Sequence, residues 1–132
     1  MGQSFWRNHP SGWPVGTLVL GSQTYTESEL LTVLRTPIGR SGADASLILA
    51  HQLIVAKLDL ANGSDPTTIG TTVADADRLL AQFGGKLPYG VGRSSVLGQS
   101  MVGDGHVLAS YNRDRRTPTC VRSFHQGRVR DR

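Results

Sequence analysis

The sequence contains one cysteine, few charged residues (18% of 132) and no uninterrupted run of about 18 apolar residues. A single cysteine, Cys120, excludes a disulfide within the chain and a zinc site built from several cysteines. Without a long apolar run, we expect no membrane span. The first residues also lack the charged and then apolar pattern of a secretory signal, so we expect no signal peptide here.

The net charge of +4 is unevenly distributed along the chain. Residues 113–132 contain seven arginines and two aspartates, whereas the first 112 residues contain seven basic and eight acidic groups. We therefore expect a single helical domain over 1–112 and a basic, disordered tail over 113–132. Because the tail has only one aromatic residue, Phe124, it offers little base stacking, and nucleic acid is not the expected partner.

One long helix is predicted at the centre of the domain, from about Ala45 to Asn62. Asp44 is suited to cap its start, and Asn62-Gly63 is suited to end it. Its apolar residues form two stripes at helical spacing, so the helix should be contacted from two sides. The stripes are Leu49, Leu53, Ala56 and Leu60, and Leu47, Ala50, Ile54, Leu58 and Ala61.

The flanking segments predict shorter elements around this helix. Residues 1–16 are rich in aromatic residues and proline and are expected to form an irregular arm, followed by a short hairpin over 17–26. Thr26 and Glu29 have the spacing of a capping box for a helix that ends before Pro37. Further helices are expected from Asp65-Pro66 to about Phe83 and from Ser95 to Tyr111. The predicted fold is therefore all-α, a compact bundle of about four helices with an aromatic arm and a short hairpin.

Two stretches, WRNHP near the start and LAHQLIVAKL in the central helix, carry a resemblance to a known family. The chain resembles, over roughly residues 5–112, a helical module of large, predicted secreted bacterial proteins. The resemblance implies an extracellular bacterial origin and implies that Trp6, His9 and His51 act together. It supplies no activity.

His9 and His51 are the first candidates for chemistry. Two imidazoles that meet over a helix could bind Zn²⁺ or act as a catalytic base and its orienting partner. The alternative is that His51 makes a buried hydrogen bond that ties the aromatic arm to the core. Trp6 and Trp13 are candidate binding residues that could flank a ligand groove, or they could simply be buried.

An oxygen-rich turn supplies a second candidate. Asp59, Asn62 and Asp65 surround a glycine turn and could hold Ca²⁺, although the spacing does not match an EF-hand. The simpler interpretation is that Asn62 and Asp65 only end one helix and begin the next.

These features favour a non-catalytic helical module of bacterial secreted type with a binding or structural role. The partner could be a protein, a polymer or a small molecule. The alternative is a small hydrolase of an ester or lactone that depends on Zn²⁺ or Ca²⁺ at the residues above. The sequence contains neither HExxH nor Gly-x-Ser-x-Gly, so the common short hydrolase motifs are absent.

Overall fold

A computed structural model describes residues 2–38 and 43–114. The protein is mostly helical and has one small antiparallel hairpin. A turn of 3₁₀ helix (Pro10–Gly12) follows the first helix. The other elements, in chain order, are α1 (Gln3–Asn8), β1 (Thr17–Leu20), β2 (Gln23–Thr26), α2 (Glu27–Arg35), α3 (Ala45–Ala61), α4 (Gly70–Leu80) and α5 (Val96–Asp114).

Helix α3 is the central element, as the sequence predicts. The carboxylate of Asp44 accepts a hydrogen bond from the Ser46 amide at 2.9 Å, which confirms the predicted cap. Leu53 of one stripe and Leu58 of the other are fully buried, whereas Leu60 and Ala61 at the end of the helix are half-buried and exposed, respectively. The helix contacts α1, α2, α4, α5 and β1, with the most extensive packing against α5. Burial goes further around the helix than the two stripes indicate, because His51 and Asp59 are also buried.

The hairpin and its junction with α2 also follow the prediction. Strands β1 and β2 pair with Leu18 opposite Tyr25. The Thr26 side chain accepts from the Glu29 amide at 3.2 Å, and the Glu29 carboxylate accepts from the Thr26 amide at 2.9 Å. Both bonds of the capping box are therefore present, and α2 begins directly after the hairpin.

The aromatic arm differs from the prediction because part of it is helical. Residues Gln3–Asn8 form α1, although the composition of residues 1–16 indicates an irregular segment. The Trp6 side chain is fully buried against the core, and this anchorage orders a segment that is too short to be a stable helix alone.

Helix α4 begins later than predicted, at Gly70 rather than at Pro66. The Asp65 carboxylate accepts from the Thr67 amide at 2.9 Å, and the Pro66 carbonyl accepts from the Gly70 amide at 3.0 Å. These bonds close a turn over residues 65–70 before the helix starts. Asp65 and Pro66 therefore form a turn instead of the start of a helix, because aspartate stabilises turns as well as helix starts.

Helix α5 is present and continues to Asp114, two residues into the segment assigned to the tail. Gly98 lies so close to the chain at Gly92 that a Cβ atom at this position would overlap the Gly92 carbonyl oxygen. Glycine at position 98 disfavours the helix locally, but it allows α5 to lie close to the chain at Gly92. Residues 115–132, which include most of the predicted tail and Cys120, lie outside the described residues. Within residues 2–38 and 43–114, no helix has the length and hydropathy needed to cross a bilayer.

Two carboxyl groups meet where α4 packs on α5. Burial raises the pKa of Asp104 to about 7, and a hydrogen bond to the Asp75 carboxylate adds to this rise. The hydrogen bond from Asp104, together with the guanidinium of Arg78, lowers the pKa of Asp75. The protonated Asp104 carboxyl therefore donates to the ionised Asp75 carboxylate below about pH 7.

We expect Asp104→Asn to stabilise the protein at pH 8–9, because it removes the repulsion between two ionised carboxylates. The gain should be about 1–2 kcal/mol, since Asp104 is only half-buried and solvent screens part of that repulsion. In the wild type, this pair should destabilise the fold as the pH rises from about 4, where unfolded Asp ionises, to about 7, where folded Asp104 ionises. Denaturant unfolding at pH 5 and pH 8.5 measures the difference. Glu27→Gln is the control, and identical pH profiles for Asp104→Asn and the wild type would contradict the prediction.

Candidate functional site

The two candidate histidines occupy different environments. His9 is exposed, its Nδ1 donates to the Phe5 carbonyl at 2.8 Å, and its ring stacks on Phe5 at 4.4 Å. His51 lies on α3, is only 4% exposed, and its Nδ1 accepts from the Gln3 side-chain amide at 3.1 Å. No hydrogen bond or ring contact joins the two histidines within the described ranges. The structure therefore does not join them into one site, although both contact α1.

The two tryptophans anchor the N-terminal segment. The Trp6 indole donates to the buried Asp59 carboxylate at 2.9 Å, and the half-buried Trp13 donates to the Trp6 carbonyl at 2.8 Å. Burial raises the pKa of Asp59 to about 6, and the Trp6 hydrogen bond opposes that rise. The Trp6 bond thus holds α1 on α3, and the Trp13 bond holds the segment after the 3₁₀ turn on α1.

The three residues of the predicted calcium turn have different local roles. Asp59, in the last turn of α3, accepts from Trp6; Asn62 is the C-terminal cap of α3; and Asp65 accepts from Thr67. In the part of the chain that the structure describes, no group of three or more His, Cys, Asp or Glu side chains is arranged to hold a metal ion.

His51 forms part of a cleft between α1, the end of α2 and α3. The cleft has a volume of about 530 Å³, which is within the range of small-molecule sites. Its polar lining comes from Gln3, Arg7, Arg35, Thr36 and His51, and its apolar lining comes from Leu34, Pro37 and Ile38.

The His51 ring is held as one neutral tautomer. Because the Gln3 amide nitrogen can only donate, Nδ1 accepts and the ring proton resides on Nε2. Nε2 is buried and makes no hydrogen bond. The Val33 backbone carbonyl favours the protonated ring, but it does not reach hydrogen-bond geometry with Nε2. Burial lowers the pKa of His51, the Val33 carbonyl opposes this effect, and the positive charge of Arg7 adds to it. Such a ring offers a neutral donor at pH 7 rather than a cation.

Two guanidinium groups give the cleft its charge. Arg35 donates to the Arg7 carbonyl at the end of α1, at 3.5 Å, so the α2 side chain reaches the α1 side of the cleft. No residue that lines the cleft carries a negative charge. Neither arginine forms an ion pair in the described structure. The cleft therefore combines two uncompensated positive charges with an apolar wall.

Of the residues that line this cleft, the sequence indicates His51 as a candidate for chemistry but gives no such signal for Gln3, Arg7 or Arg35. Gln3 and Arg7 are one helical turn apart, a spacing that places both on one face of a helix. That signal has meaning only if residues 3–8 are helical, and the composition indicates an irregular arm. Arg35 comes from another element, so only the tertiary packing places it here.

Comparisons with known proteins add no relative: the sequence matches no protein-family model, no curated protein and no solved structure.

Proposed function

We propose that this chain is a compact helical bundle that serves as a non-catalytic binding module, with its ligand site in the α1–α2–α3 cleft. The observation that carries the proposal is the cleft itself, which has a volume of about 530 Å³ and a mixed polar and apolar lining with two arginines that form no ion pair in the described structure.

A hydrolase is the alternative, and one observation favours it. His51 is neutral near pH 7 and is oriented by Gln3, as a general base must be. A base also needs a free lone pair, but the Nδ1 lone pair accepts from Gln3, and Nε2 carries the ring proton and is buried. We therefore rank binding above catalysis.

The test of binding is an NMR titration of the full ¹⁵N-labelled chain with three probes that share one apolar body: phenylacetamide, phenylacetate and phenethylammonium. We expect at least one probe to give saturable shifts at Gln3, Thr36 and His51. Thr36→Trp, which places an indole in the cleft, should remove these shifts. Thr24→Trp, at an exposed position of β2, should leave them unchanged.

Two results would contradict the proposed function. The first is that none of the three probes shifts the signals at the cleft. The second is steady turnover of nitrophenyl acetate by the chain that is lost in His51→Gln and retained in His9→Gln, which would establish the hydrolase alternative.

A further inference from the structure

The charges and the apolar wall of the cleft together restrict the class of ligand. Arg7 and Arg35 come from different helices, and both line one cleft. The Arg35 guanidinium donates one long hydrogen bond, to the Arg7 carbonyl. Each guanidinium has five N–H donors in a planar fork that matches a carboxylate. The two forks therefore leave many donors for a ligand that accepts hydrogen bonds and carries negative charge.

Another part of the lining is apolar. Leu34, Pro37 and Ile38 form this wall; Leu34 is only 2% exposed, so the exposed Pro37 and Ile38 supply most of its accessible surface. An inorganic anion would satisfy the arginines but would leave this wall in contact with water. A ligand with an apolar body attached to its anionic group would use both parts of the cleft.

We propose that the ligand of the cleft is an amphipathic organic carboxylate, whose carboxylate is bound by Arg7 and Arg35 and whose apolar body packs on Leu34, Pro37 and Ile38. This inference rests on the proposed function and names the chemical class that the site selects. The neutral His51 ring forms part of the polar lining and, unlike a cation, adds no positive charge of its own. Selectivity for the anion therefore comes from the two arginines.

The test compares phenylacetate with phenylacetamide, which has nearly the same shape and no charge. At low salt, we expect phenylacetate to bind the full-length wild type at least tenfold more tightly, because charge-assisted hydrogen bonds are about twice as strong as neutral ones. The preference should fall as salt is raised, since the arginines are partly solvated. Inorganic phosphate should bind more weakly than phenylacetate, because it has no apolar body.

Arginine variants show whether the preference belongs to this cleft. Arg7→Gln and Arg35→Gln should each weaken phenylacetate binding several-fold, and the double variant should bind phenylacetate and phenylacetamide equally. Retained phenylacetamide binding in the double variant shows that its cleft is still folded. Arg93→Gln, an exposed arginine before α5, is the matched control and should keep the full preference.

The outcomes separate the two proposals. If phenylacetamide binds in the cleft as tightly as phenylacetate, the carboxylate inference is wrong and the binding module stands. A preference that survives the double arginine variant, or phosphate binding as tight as phenylacetate binding, would also overturn the inference. If no probe binds in the cleft, both proposals fail.

Discussion

Leu53→Asp should prevent the chain from folding at neutral pH. Leu53 is 0% exposed in the middle of α3, which contacts most of the other elements. Truncation of a buried leucine costs about 2–5 kcal/mol, and an unpaired buried carboxylate adds several more. The total is comparable to the whole stability of a domain of this size, about 5–15 kcal/mol. Circular dichroism and denaturant unfolding of the variant measure the effect.

Val96→Asp is the matched control, because Val96 is 85% exposed at the first residue of α5. This variant should fold and melt like the wild type, since a carboxylate near a helix N-terminus is mildly favourable. A soluble Leu53→Asp protein with cooperative melting would show that α3 is not the centre of the core.

The second large effect is expected at Trp6. Trp6→Ala should destabilise the protein by about 3–5 kcal/mol, because it leaves a cavity where a fully buried indole packs between α1 and α3. The loss of stability should affect α1 first, because this helix has only six residues and the buried Trp6 side chain anchors it. Denaturant unfolding gives the global cost, and hydrogen exchange of residues 3–8 gives the local one.

Two conservative variants separate packing from hydrogen bonding at this anchor. Trp6→Phe keeps much of the ring but removes the indole donor to Asp59, and should cost about 1–3 kcal/mol. Trp13→Phe removes a similar bond at a half-buried position and should cost about 0.5–1.5 kcal/mol. If Trp6→Ala is no more costly than Trp13→Phe, Trp6 is not the residue that holds α1 on the core.

The predictions that the structure confirms concern local signals. The capping box joins Thr26 to Glu29, which are three positions apart, and Asp44 caps α3 through the amide of Ser46, two positions later. The two apolar stripes of α3 require only helical spacing, and their leucines are buried as expected except Leu60, which is half-buried. Such features depend on neighbours in the sequence, so the sequence is sufficient to predict them.

The differences arise where tertiary contacts decide the local structure. Residues 3–8 carry no strong helical signal, and they are helical because Trp6 docks on α3. Asp59 belongs to neither apolar stripe of α3, yet it is buried, and its carboxylate accepts from the Trp6 indole near the start of the chain. Neither result follows from periodicity, because both depend on one contact between residues 53 positions apart.

The candidate site was predictable only at His51. An imidazole at the border of an apolar stripe is visible in the sequence, and the structure adds its Gln3 partner and the arginines. Those residues come from α1 and α2, so their meeting depends on how three helices pack. Whether His9, the tryptophans or the Asp59–Asp65 turn takes part in function stays a prediction, and the structure places each of them in its own local contacts.

The most direct test of the binding module is the NMR titration read at the His51 ring nitrogens. Before ligand is added, Nδ1 should have the chemical shift of an acceptor and Nε2 that of a protonated nitrogen, because Gln3 fixes this tautomer. Saturable ring shifts with phenylacetate, present in the Thr24→Trp variant and absent in Thr36→Trp, are the predicted result. Ring signals unchanged by all three probes, while the protein remains folded, would contradict the assignment of this cleft as the ligand site.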